Sequence, residues 1–171
     1  AVRLLAPRPP MIALLRRLFG RARPALLDAG PRDAAAIAAL HGAAFHRGWS
    51  EEEVDALLVE RAVMAHRAIL SGKFVGFIMS RRAADEAEIL SVAVAHACRG
   101  RGLARELLQL HLGRLAGTGV RAVFLEVDET NRPALRLYRR AGFREVGRRP
   151  NYYAAPGAKP AAALVLRRDL G

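Results

Sequence analysis

Three apolar, strand-like runs follow one another almost without interruption: "MAHRAIL" from Met64, "FVGFIMSRR" from Phe74 and "EAEILSVAV" from Glu86 to Val94. Ser71-Gly72 separates the first two, and the stretch from Ala83 to Glu86 separates the second from the third, so the connections are too short for anything but hairpins. A chain built around an antiparallel meander has few remaining options, and the flanks narrow them further. Upstream, "ALLDAG" reads as a short strand and "PRDAAAIAALHGAAF" as a helix opening near Asp33 with Ile37, Leu40 and Phe45 inward. Ser50 with Glu53 forms a capping box for a second helix that buries Val54, Leu57 and Leu58. Downstream, a helix from about Leu103 to Leu115 turns Leu103, Leu107, Leu110 and Leu115 to one side, and "VRAVFLEV" is a strand. Asn131 and Pro133 open a fourth helix that Gly142 ends, and "FREVGRR" and "AAALVLRR" are the last strands. The order predicts one α/β domain over residues 25–171, a mixed central sheet of about seven strands flanked by four helices.

A length of 171 residues suits one domain with a full core. The apolar runs are too short to cross a bilayer, and a single cysteine, Cys98, excludes an internal disulfide and fits a reducing cytoplasm. A net charge of +12 invites a nucleic-acid reading, yet six of the twelve charges sit in residues 1–24, on Arg3, Arg8, Arg16, Arg17, Arg21 and Arg23. That segment reads as a frayed basic extension or as a surface helix that touches membrane or ribosome. The charge as a whole reads as arginine-rich composition, with attraction to an anionic cofactor or a ribosomal partner as its use.

The chemistry starts at "CRGRGLARELL", where a strand ending near Ala95 feeds a helix through Arg99, Gly100, Arg101 and Gly102. The first amides of a helix have no partner inside it, glycines admit close approach, and the dipole adds positive charge. Such a turn is either a pyrophosphate cradle or simply a tight turn. It is no P-loop, because Leu103 and Ala104 stand where Lys and Ser or Thr would follow, and Arg105 breaks a dinucleotide fingerprint. Glu126, in "FLEV", either points to an exposed face or occupies a cavity that makes it a base. Tyr138 reads as a core tyrosine and Asn131 as a helix cap. The five histidines show no metal-ligand spacing, so no metal is predicted.

The spacing Arg99-x-x-Gly102-x-Ala104 resembles the Q/R-x-x-G-x-G/A motif of the GNAT family of N-acetyltransferases. The supporting stretches are "HGAAFHRGWSEEE", "EAEILSVAV", "FLEVDETNRPALRLYRRAGFREVGRRPNYY" and "ALVLRRDL", so the likeness runs from about Ala25 to Leu170. Within the family the chain looks like the ribosomal-protein alanine N-acetyltransferases. The resemblance implies acetyl-coenzyme A as co-substrate, gripped at the pyrophosphate by Arg99, Gly100, Arg101, Gly102, Leu103, Ala104 and Arg105 and contacted by Asn131. It implies that main-chain groups of Val92, Ala93 and Val94 pair with the pantetheine arm, that Glu126 is the general base and that Tyr138 is the acid that protonates the departing thiolate. Trp49, Tyr152 and Tyr153 match positions that clasp a peptide N-terminus, or are core or lid aromatics. An acidic residue that many relatives carry before the last strand is replaced here by Ala162 or its neighbours. The partner implied is the N-terminus of a ribosomal protein, met by a cytoplasmic monomer that needs neither nucleic acid nor membrane. The alternatives are a small-molecule amine or a lysine side chain as acceptor, or a basic ribosome-binding module without turnover.

Overall fold

Two-residue turns fix the centre of the molecule, as the sequence requires. The computed structural model describes residues 22–153 and 161–171, so the basic extension lies outside the described residues up to residue 21. Strands β2 (Val63–Leu70), β3 (Lys73–Ala83) and β4 (Glu86–Val94) form the meander. Ser71 and Gly72 take φ of 49° and 76°, the two left-handed positions that a tight hairpin matching the twist of its strands demands. Strand β1 (Ala25–Asp28) adds antiparallel to β2. Strand β5 (Ala122–Asp128) adds parallel to β4, β7 (Ala161–Asp169) pairs antiparallel with β5, and β6 (Arg144–Tyr153) closes the far edge. The sheet order is β1-β2-β3-β4-β5-β7-β6.

Among the described residues, four α-helices cover it. On one face, α1 (Ala34–Ala44) and α2 (Glu51–Leu58) bury Ala34, Ile37 and Val54 against Ala65, Phe77, Met79 and Ala93. The capping box is present: Ser50 Oγ accepts the Glu53 N–H at 3.2 Å, and Glu53 Oε2 accepts the Ser50 N–H at 2.7 Å. On the other face, α3 (Leu103–Gly117) and α4 (Arg132–Arg140) share the larger core. The buried stripe of α3 runs through Leu103, Leu107, Leu108, His111, Leu112 and Leu115, and Leu110 is half-buried beside it. Helix α3 lies close on β3, since a Cβ added at Gly76 would stand 3.1 Å from Leu107 Cδ1 and 3.2 Å from the Ala93 carbonyl oxygen. One inward assignment fails: Phe45 is 40% exposed, because it follows the last turn of α1 and faces a cleft instead of the core.

A polar chain crosses the larger core. Ser80 Oγ lies 2.7 Å from His111 Nε2, His111 Nδ1 lies 2.7 Å from His66 Nδ1, and His66 Nε2 reaches the exposed Asp28 at 3.4 Å. Burial, and then the neighbouring His66, push His111 down to about 3, and burial lowers His66 as well. Both histidines bind protons more readily in the unfolded chain. Their contribution to stability is therefore complete above about pH 6.5 and is lost as pH falls, in the case of His111 down toward 3 at ~1.4 kcal/mol per pH unit. Urea unfolding should show about 2 kcal/mol less stability from His111 at pH 5 than at pH 7. His111→Gln, which cannot titrate, should flatten most of that acid limb, and an unchanged slope would remove His111 from the account.

Candidate active site

The parallel pairing of β4 with β5 runs from Glu86 opposite Ala122 to Ile89 opposite Leu125 and stops there. Its cause lies on the other edge of β4. Against β3, Ile89 pairs with Ser80 and Ser91 with Met79, so Leu90 is an extra residue, a bulge that bends the strand. Beyond it, Ser91–Val94 keep β3 on one edge and, among the described residues, have no strand on the other. A slot opened between two strands offers main-chain N–H and C=O groups to any extended molecule that carries amides, as a sheet edge does. Val92, Ala93 and Val94 line this slot.

At the end of β4 the chain turns into α3. Gly100 and Gly102 stand at φ 71° and 86°, in the left-handed region that favours glycine, and Gly102 is the N-cap residue of the helix. The first cap bond is Glu106 N–H to the Gly102 carbonyl at 3.0 Å, so the amides of Leu103, Ala104 and Arg105 precede any intrahelical acceptor. All three residues line the cleft, as do Arg99, Gly100 and Gly102. Arg99 has a structural task too: its Nε donates to the Val94 carbonyl at 3.1 Å and closes the turn. Arg101 is not among the lining residues.

The cleft these elements enclose has a volume of about 1010 Å³ and runs between α3 and α4 to the end of β7. Its walls carry Arg99, Arg105, Arg136, Arg140 and Arg168 against one carboxylate, Asp169, which Arg144 and Arg167 already occupy at 2.7 and 2.8 Å. The cleft is therefore strongly electropositive and suits a ligand with several phosphates. Arg136 and Arg140 did not emerge from the glycine turn. Their signal is the four-residue spacing Arg132, Arg136, Arg140, which places one cationic stripe along α4. Asn131 lines the same cleft and caps α4 through Oδ1, which accepts the Ala134 N–H at 3.2 Å.

Glu126 and Tyr138 stand on opposite sides of β5. Val123, Leu125 and Val127 enter the core beneath α3 and α4, so strand alternation turns Phe124, Glu126 and Asp128 to the α1 and α2 face. There Glu126 Oε1 meets Arg149 Nε of β6 at 3.1 Å, across the intervening β7. Its side chain is 22% exposed, so the carboxylate is neither a solvated surface group nor sealed in the core. Tyr138, on α4, is buried, packs edge-on to Phe143 at 5.7 Å and lines the cleft. Near the slot, Ser91 Oγ is buried with no hydrogen-bond partner, a group with bonding capacity in reserve.

On the α1 and α2 face, Ala44 and Phe45 also line the cleft, and Trp49 stands behind Phe45 without lining it. At Ala162, where many relatives carry an acidic residue, a carboxylate from another strand end meets the main chain. Glu129, just past β5, accepts the Ala162 N–H at 2.9 Å and pairs with Arg148. The side chains of Tyr152 and Tyr153 lie outside the described residues. Among the described residues, no group of three or more His, Cys, Asp and Glu could hold a metal ion, and no helix is long and apolar enough to cross a membrane.

A slot beside a split strand pair, ending on a glycine turn at a helix N-terminus, is a distinctive arrangement, and residues 34–143 match the model of the acetyltransferase (GNAT) family. The chain belongs to that family. It is 31% identical over 117 residues to the [ribosomal protein bS18]-alanine N-acetyltransferase of Escherichia coli, which covers 68% of this chain and 78% of that protein. It is 40% identical over 104 residues to the N-alpha-acetyltransferase RimI of Mycobacterium tuberculosis, 58% of this chain and 62% of that protein. The chain spans only 22% of the length of another relative, an uncharacterized protein of Mycobacterium leprae. The crystal structure of the ribosomal-protein-S18-alanine N-acetyltransferase from Escherichia coli superposes with a TM-score of 0.80 at 25% identity, covering 86% of this chain and 94% of the other. The GNAT fold is thus present, and among the described residues its seven strands and four α-helices follow the predicted order.

Proposed function

We propose that this GNAT chain transfers the acetyl group of acetyl-coenzyme A to the α-amino group of a protein N-terminus, with the N-terminal alanine of a small-subunit ribosomal protein as the first candidate acceptor. The observation that carries the reading is the slot itself: a free β4 edge leads from the arginine-lined cleft to a place flanked by Glu126 on one sheet face and Tyr138 on the other. The name of the Escherichia coli relative points to the same alanine acceptor, and that of the Mycobacterium tuberculosis relative to an α-amine.

Each group has a task that its position permits. The amides of Leu103, Ala104 and Arg105, with the arginines of α3 and α4, hold the pyrophosphate of the co-substrate. Main-chain groups of Val92, Ala93 and Val94 pair with the pantetheine amides, and an N–H there polarises the thioester carbonyl as charge develops on its oxygen. An α-amino group has a pKa near ~8 and arrives mostly protonated, so a base must take its proton before or during attack. Glu126 takes it, directly or through a water, while Arg149 holds the carboxylate in orientation. The nitrogen adds to the carbonyl carbon, the C–S bond breaks, and Tyr138 gives its phenolic proton to the departing thiolate. Cys98 lines the cleft but has no base paired with it, and direct transfer needs no acyl-thiol intermediate.

The test is mass spectrometry of peptides with varied first residues after incubation with the protein and acetyl-coenzyme A. Acetylation of the α-amine, strongest for alanine, is expected. Acetyl groups found on lysine side chains alone would replace the acceptor by an ε-amine, and no transfer at all would leave a binding module.

A further inference from the structure

The loop from His46 to Trp49 is held against α1 by contacts the catalytic reading does not use. His41, in the last turn of α1, is buried although polar, and its Nδ1 accepts the Trp49 backbone N–H at 3.1 Å. The imidazole lies flat on the indole, 4.1 Å between centroids and 8° between planes, and stacks on Phe45 at 4.4 Å. Phe77 of β3 lies 6.4 Å away. Gly48 sits directly on Gly42, so that a Cβ at Gly48 would come within 2.8 Å of Gly42 Cα. One hydrogen bond, two ring stacks and a backbone contact therefore dictate where this loop runs. Phe45, the residue His41 grips from the other side, is a wall of the same cleft that Val92, Ala93 and Val94 line.

We propose that His41 is a positioning residue: its imidazole, pinned between Trp49 and Phe45, fixes the cleft wall that Phe45 forms with Ala44, past which the acceptor amine reaches the slot. The proposal rests on the acetyl-transfer reading for its kinetic consequence but not for the clamp. The clamp needs a neutral ring, because only an unprotonated Nδ1 has a lone pair for the Trp49 N–H. Burial holds His41 below the usual histidine range. Glu53 of α2 pulls the other way but is itself engaged by the Ser50 N–H at 2.7 Å and by Arg47 at 3.8 Å. On the sheet side the contact is the uncharged Phe77. With the folded value below the unfolded one, the clamp is complete above about pH 6.5 and opens as pH falls.

Trp49 is the single tryptophan of the chain, so indole emission reports the clamp directly. The wild type should keep constant emission from pH 8 to about 6.5 and change in one step below it. In His41→Asn, whose carbonyl oxygen still accepts the N–H but cannot titrate, that step should vanish. In His41→Ala the emission should match the acid form at every pH. With an alanine-initial peptide as acceptor, His41→Ala should raise the acceptor KM about tenfold and leave the Kd for acetyl-coenzyme A within about twofold, with most of the loss rescued in His41→Asn. Gly48→Val, which wedges the loop away from Gly42, should raise the same KM with His41 intact. An emission step that survives in His41→Asn overturns the clamp. A wild-type acceptor KM in both His41→Ala and Gly48→Val, on a chain that does acetylate the peptide, overturns the positioning role. A chain that acetylates nothing yet keeps the emission step refutes the transfer reading alone.

Discussion

Replacing Glu126 by glutamine is expected to lower turnover by about 100- to 10,000-fold while the protein still binds acetyl-coenzyme A normally. The reasoning is geometric. Glu126 lies on the α1 and α2 face of β5 and not in the arginine-lined cleft, so its replacement leaves every group lining that cleft in place. Glutamine has the same shape and can still accept a hydrogen bond from Arg149, but it cannot take the amine's proton. The ion pair itself contributes little to stability, because Arg149 is 60% exposed, and an exposed pair is worth about 0–1 kcal/mol. A large kinetic effect with a nearly unchanged unfolding midpoint is thus the signature of a base. Arg149→Met separates orientation from chemistry, since it leaves the base and removes only what steers it, and its loss should be far smaller. Tyr138→Phe removes only the phenolic hydroxyl proposed to protonate the thiolate and should slow turnover with intact binding of acetyl-coenzyme A. Wild-type turnover in Glu126→Gln, measured with saturating peptide and acetyl-coenzyme A, would leave Glu126 as an anchor for β6.

The pairing of Glu126 with Arg149 also marks where reading the sequence stops. The meander was legible because its turns are two residues long, and the helix ends because Ser50, Asn131 and Gly142 are cap residues whose geometry is local. The placement of β7 between β5 and β6 is not local. No turn signal specifies it, yet that insertion carries Arg149 to Glu126 and Glu129 to Ala162. The slot has the same character. Leu90 is an ordinary strand residue in the sequence, and its bulge appears only against Met79 and Ser80 of the neighbouring strand. The motif from Arg99 to Ala104 was therefore legible as a cradle or a tight turn, while the free edge of β4 beside it was visible only once the strands were paired.

Side-chain periodicity failed in an informative way at Phe45. It shares the inward spacing of Ile37, but the sheet beneath it opens into the cleft, so the apolar ring lines a site. Periodicity distinguishes inward from outward and cannot separate a core from a cavity. His41 shows the converse. A lone histidine on an apolar helix face reads as a packed core group, and only the return of the chain at Gly48 and Trp49 gives its ring two partners.

Gly102→Glu is expected to weaken acetyl-coenzyme A by about two orders of magnitude or more, the cost of setting a carboxylate against a pyrophosphate at a partly desolvated site. Two costs must be separated. Gly102 stands at φ 86°, so any other residue pays about 1–2 kcal/mol of backbone strain, whatever space surrounds it. Space is not the obstacle, since a Cβ built there meets nothing within 4 Å. Gly102→Ala therefore isolates the strain: the unfolding midpoint should fall, and cofactor affinity should drop only as far as the turn relaxes. Gly102→Glu carries the same strain and adds a negative charge where the amides of Leu103, Ala104 and Arg105 offer positive potential. Calorimetric titration of both variants with acetyl-coenzyme A distinguishes the contributions, and raising the salt should narrow the gap between them by screening the added charge. Equal affinities for the two variants would mean that the phosphates do not sit at the mouth of α3. The arginines of α4, Arg136 and Arg140, would then be the place to look for them.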